Sequence, residues 1–124
     1  MSGRHETGMR IRREVLGDEH VDRAEASKSD FDAPFQDLIT EGAWGTIWAD
    51  DTISRRDRSL LTLALLAATG NTAEIPMHIR ACARTGATRA EVMQAFLHVA
   101  IYAGVPRANR AIAIARDVFA EDDA

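Results

Sequence analysis

The chain of 124 residues holds a single cysteine, Cys82, and that scarcity removes several chemistries at once. No internal disulfide, CxxC redox pair or all-cysteine metal site fits within one chain, and a reducing cytoplasm is the expected home. Lysine is equally rare: Lys28 stands alone and the remaining positive charge is arginine, whose forked guanidinium matches carboxylates and phosphates. The net charge of −4 lacks the basic excess of a nucleic-acid binder, so no nucleic-acid partner is expected. No apolar run approaches the roughly eighteen residues of a membrane span, and the N-terminal MSGRHETGMRIRR has charge without the apolar segment of a signal peptide. No membrane partner is expected.

Strand signals are weak, whereas helix stops recur: Gly17, Gly70, Gly86 and Gly104 each follow an apolar-periodic segment. An all-α fold is expected, one compact domain over residues 1–124 with about six helices and its core helices within 31–120. Residues 4–16 read as a short basic helix, and 17–30, GDEHVDRAEASKSD, as a polar connection without periodicity. Asp32 before Ala33 and Pro34 predicts an N-cap and a helix to about Trp48, with Phe35, Leu38 and Ile39 on one face and Trp44 and Trp48 nearly opposite. Ser54 with Asp57, and Thr88 with Glu91, have capping-box spacing at the start of two further helices, the first of them central. Pro106 opens the last helix, and the tail 121–124 is expected to fray. The helix over 89–103 carries more apolar surface, Val92 through Ile101, than one neighbour covers, which predicts self-association. Its polar residues Glu91, Gln94, His98 and Tyr102 form one stripe.

Chemistry concentrates in NTAEIPMH, residues 71–78. Glu74 and His78, four apart, suit a carboxylate that orients an imidazole for proton transfer. Asn71 with Glu74 equally suits a capping box, with Pro76 marking a helix start. His5, His20, His78 and His98 show no metal-ligand spacing, and no metal is expected. Trp44 and Trp48 suit buried core, an interface or a ligand wall. Arg55, Arg56 and Arg58 sit where a helix N-terminus disfavours cations, so either an anionic partner or the acids Asp50, Asp51 and Asp57 should offset them. Arg80 and Arg84 read as a solvated or intersubunit pair, and Cys82 as a small buried residue.

Five blocks go further: GMRIRREVLGDEHVDR (8–23), FQDLITEGAWGTIW (35–48), RSLLTLALLAATG (58–70), MHIRACARTGATRAEV (77–92) and LHVAIYAGVPRANRA (97–111). In this order, over nearly the whole chain, they resemble the carboxymuconolactone decarboxylase family, part of a superfamily that includes alkyl hydroperoxidase D-type peroxidases. Those peroxidases carry C-x-x-C-x-x-x-H; the cysteine positions fall here on Asn71 and Glu74 and the histidine on His78, so the resemblance implies that the thiol chemistry is absent. It implies a helical homohexamer that works without metal or organic cofactor on a lactone bearing two carboxylates, releasing carbon dioxide and the 3-oxoadipate enol-lactone in protocatechuate breakdown. It further implies His78 oriented by Glu74 as the proton-handling pair, His98 as a second candidate, Arg58 and Arg80 as carboxylate-binding residues, and Trp44 and Trp48 as pocket walls. One departure stands out: where family members usually read Arg-Pro-Gly-Leu after the second tryptophan, this chain has Asp50 at the arginine's place. The competing readings are a hydroperoxide reductase dependent on Cys82 and a non-catalytic helical oligomer that serves as a binding module.

Overall fold

The structure, a computed structural model, describes residues 3–124, and these contain seven α-helices and no strand. They divide into two compact units, residues 1–54 and 55–124. The first unit holds α1 (Gly3–Leu16), α2 (Asp18–Ser27), α3 (Ala33–Ile39) and a π-helical segment, Thr40–Ile47. The second holds α4 (Arg55–Thr69), a 3-10 turn at Thr72–Glu74, α5 (Ile75–Thr85), α6 (Arg89–Tyr102) and α7 (Val105–Asp123). All four punctuating glycines have positive φ, from 77° at Gly70 to 114° at Gly104, a backbone region that a Cβ disfavours.

The stretch expected as a polar connection is instead α2. Only Val21 of this helix is buried, so no apolar repeat marks it. It is held by other means: Asp18 and Glu19 complement the positive N-terminal end, Glu19 pairs with Arg23 at 2.8 Å, and Arg13 of α1 reaches Asp18 at 3.1 Å and Asp22 at 2.8 Å.

The single helix expected over 33–48 changes character at Thr40. The Asp32 carboxylate turns back to accept from the Ser29 N–H at 2.7 Å and makes no cap bond to α3. Beyond Ile39 the bonding widens to the i→i+5 pattern, as in Trp48 N–H to Ala43 O at 2.9 Å. Trp44 and Trp48 are buried and stack with centroids 5.0 Å apart, while Phe35 and Leu38 stand exposed. The tryptophan side is therefore the covered one. This segment packs on α1 through two glycines: a Cβ on Gly8 would run into the Thr40 carbonyl, and one on Gly45 into the Arg4 carbonyl. Gly45→Ala should force these backbones apart and destabilise the protein by about 1–3 kcal/mol, read as a lower midpoint in urea; an unchanged midpoint would contradict this close approach.

In the second unit α4 packs on α5, α6 and α7 around Leu63, Ala67, Ile79, Phe96, Ala111 and Val118. Only one stripe of α4 is covered, since Leu61 and Leu65 are exposed. The Thr88–Glu91 capping box is complete, with reciprocal bonds of 3.1 and 2.9 Å. The tail expected to fray is helical to Asp123. Arg89 fixes it by a forked pair to the Asp123 carboxylate, 2.9 Å on each arm, and by lying 4.5 Å above the Phe119 ring. Among the described residues, no helix is long and apolar enough to cross a membrane.

Candidate functional site

The turn between α4 and α5 is built by three residues with limited backbone options. Gly70 takes φ 77°, which ends α4; Asn71 follows; and Pro76, in the first turn of α5, needs no N–H partner there. The capping box expected of Asn71 and Glu74 does not form. The Asn71 amide donates to the Thr69 hydroxyl at 2.9 Å, and its side chain caps nothing.

Glu74 occupies the position just before α5, with φ −96° and ψ −3°. The Glu74 carboxylate is exposed and, among the described residues, engages no hydrogen bond or ion pair. His78, one turn on, is only 7% exposed and its Nδ1 is shielded from solvent. A proton carrier in a dry setting thus lies one turn from an accessible carboxylate. Glu74 also lines a cleft of about 400 Å³ together with Leu66, Gly70, Asn71, Thr72 and Ala73.

The arginines differ in their surroundings. Arg58, in the first turn of α4, is partly buried. Arg80 is exposed and already paired with Glu121 of α7 at 3.1 Å. Arg56 pairs with Asp57 at 3.2 Å and Glu91 at 3.5 Å, so acidic neighbours offset its unfavourable place in the α4 dipole. The Asp50 carboxylate accepts from the Thr52 N–H at 2.8 Å, a local turn bond that an arginine side chain could not make.

Sequence reasoning passed over two arginines. Arg12 of α1 is buried, and its Nε and Nη1 lack hydrogen-bond partners; burial lowers its pKa more than Glu25, 3.9 Å away, raises it. Arg107 of α7 lies against Gly70, where it fills the space a side chain would need. Its signal was available in the quoted block GVPRANRA, but which turn it meets is a long-range fact that spacing does not carry.

His98 is exposed and stacks on Tyr102 at 4.8 Å, so the polar stripe of α6 faces outward in the isolated chain. Trp44 and Trp48 belong to the first unit. A second cleft of about 420 Å³ runs between α6 and α7, with Met93, Phe96 and Phe119 in its wall. Its only carboxylate, Asp123, is committed to Arg89 and no histidine lines it, so it offers poor acid-base chemistry.

Cys82 is buried on α5, and its thiol donates to the His78 carbonyl at 3.3 Å. Burial pushes the thiol up to about 11, against a smaller opposing effect of a bond to Ser59. A thiol held neutral at pH 7 is a poor peroxide nucleophile. Because the folded pKa lies above that of the unfolded chain, the associated stability is full below pH 9 and declines as pH rises toward 11. The folded protein should therefore resist iodoacetamide at pH 8, and its melting temperature should drop between pH 9 and 11. Rapid alkylation of the native protein at pH 8 would contradict the buried setting.

Comparison with known proteins places the chain among named relatives. The model of the carboxymuconolactone decarboxylase family matches residues 33–117. A 4-carboxymuconolactone decarboxylase of Acinetobacter baylyi is 41% identical over 116 residues, covering 94% of this chain and 87% of the relative. A nitrosuccinic acid decarboxylase of Metarhizium robertsii is 39% identical over 107 residues, covering 86% and 75%. A 4-carboxymuconolactone decarboxylase of Pseudomonas putida is 50% identical over 42 residues, covering 34% of this chain and 88% of the relative.

Proposed function

The chain belongs to the carboxymuconolactone decarboxylase family, and on that premise we propose that it converts 4-carboxymuconolactone to the 3-oxoadipate enol-lactone and carbon dioxide. The observation that carries this reading is the similarity to the Acinetobacter enzyme over 94% of the chain. The single cysteine, buried and protonated at neutral pH, weighs against thiol-dependent peroxide reduction.

The substrate makes the reaction possible without metal or organic cofactor. The departing carboxylate sits on a ring carbon joined through a C=C bond to the lactone carbonyl. When the carbon–carboxylate bond breaks, its electron pair spreads into a dienolate with negative charge on the carbonyl oxygen. A proton then adds to the ring carbon next to that carbonyl. The protein has to stabilise the oxyanion, hold the carboxylates and deliver the proton.

His78 is the proposed donor of that proton or of the oxyanion hydrogen bond; the orienting bond expected from Glu74 is not made, since its carboxylate engages no hydrogen bond among the described residues, so its proposed part is proton exchange one turn away. The static structure keeps Glu74 in the open, which suits exchange with solvent between turnovers. His98 is a second candidate for the same role. Arg58 remains a proposed carboxylate ligand; Arg80 would first have to leave Glu121. Trp44 and Trp48, in the first unit, remain proposed substrate-contacting residues.

The protein is further proposed to act as a cytoplasmic homohexamer in protocatechuate catabolism. The exposed apolar residues Met93, Leu97 and Ile101 of α6 and Leu61 and Leu65 of α4 support self-association.

Nitrosuccinic acid, the substrate in the second relative's name, likewise offers an electron sink beside a carboxylate, the nitro group. Competing the two acids for the purified protein tests the assignment. Preference for the lactone in kcat/KM supports it, and preference for nitrosuccinic acid overturns it.

A further inference from the structure

We propose that Arg107 binds the substrate carboxylate that is retained in the product, an assignment that rests on the decarboxylase reading above. Four observations lead there. The Arg107 guanidinium lies on Gly70, one of the residues lining the 400 Å³ cleft that also carries Glu74. A Cβ built on Gly70 would stand 3.1 Å from the Arg107 Cζ and 3.7 Å from Nη2, and closer still to Nη1, so the bare glycine is what admits the guanidinium. Arg107 is exposed and, among the described residues, engages no hydrogen bond or ion pair, unlike Arg80, Arg89 and Arg56. It also sits in the first turn of α7, which contains no acidic residue, where the helix dipole disfavours a cation. A guanidinium kept without an acid at that end of a helix, and set against a cleft wall, suits an anion that arrives with the ligand.

The chemistry selects which carboxylate. A tight forked pair to the departing carboxylate would stabilise the ground state, since that charge leaves as neutral carbon dioxide in the same step. The side-arm carboxylate keeps its charge throughout, so binding it contributes equally before and during the reaction. Its loss should therefore appear in KM and spare kcat.

A purely structural role for Arg107, neutralising the carbonyl end of α4 at Gly70, predicts a different pattern: a lower melting temperature with KM unmoved. Arg107→Ala and Arg107→Lys, assayed with 4-carboxymuconolactone, separate the two. The expected result is a KM raised about 10–100-fold in Arg107→Ala with kcat within about threefold, and only partial recovery in Arg107→Lys, whose ammonium lacks the fork. The same lactone without its ring carboxylate, used as a competitive inhibitor, should lose affinity by the same factor. Arg110→Ala, which removes another exposed arginine three positions along α7, should leave KM within about twofold. An unchanged KM in Arg107→Ala beside normal wild-type turnover overturns the assignment and leaves the decarboxylase reading standing. A fall confined to kcat, or inhibitor binding that does not change, overturns it as well. Absence of wild-type turnover removes the decarboxylase reading and this assignment with it.

Discussion

Replacing His78 by glutamine is expected to lower decarboxylation of 4-carboxymuconolactone by about 100-fold or more, the usual worth of a positioned proton donor. Glutamine approximates the volume and can still donate a hydrogen bond, but it has no proton to give at neutral pH. The side chain is buried on α5 within a run of covered residues, Ile75, His78, Ile79 and Cys82. The variant must therefore be checked for retained helix signal and thermal unfolding before its rate is read. A folded variant within a few-fold of wild type would remove His78 from the proton path and shift attention to His98. The split between kcat and KM adds information: a proton donor that acts only in the transition state lowers kcat and leaves KM nearly unchanged.

The second large effect concerns the first unit. Trp44 is 4% exposed and stacks on Trp48 within the π-helical segment. Trp44→Ala is expected to destabilise the protein by about 3–5 kcal/mol, as for other buried aromatic truncations. Against a total of about 5–15 kcal/mol this is a large share. Trp44→Phe should recover much of that loss, because it restores most of the apolar volume and an aromatic face. A loss under about 1 kcal/mol in Trp44→Ala would contradict the buried stack. If Trp44→Phe folds normally yet turns over slowly, the indole also contributes to substrate contact.

Much of the helical architecture was legible because it is written locally. The four glycines needed for positive φ, the Thr88–Glu91 box and the start of α7 each depend on residues within a few positions of one another. What escaped depends on contacts between distant segments. α2 carries one buried residue and is secured by charge pairs to α1, so no apolar repeat betrays it. The end of α7 is ordered by Arg89, 34 positions away in sequence. The π-helical segment comes with close backbone approaches, Gly8 to Thr40 and Gly45 to Arg4, which a helical wheel drawn at 100° cannot represent. The candidate site shows the same division. Glu74 and His78 were singled out by spacing together with the family resemblance, whereas the exposure of one and the burial of the other come from the packing around α5. Arg107 reaches Gly70 only through the packing of α7 on α4.

The central claim is that this chain decarboxylates 4-carboxymuconolactone and itself delivers the proton that completes the reaction. It is tested most directly by supplying that lactone to purified, chelator-treated protein in deuterated water and following carbon dioxide release together with the product's NMR spectrum. The account predicts one carbon dioxide per lactone, undiminished by the chelator, and one deuterium on the ring carbon next to the carbonyl with a single handedness. No release of carbon dioxide, or deuterium placed equally on both faces of that carbon, would contradict it.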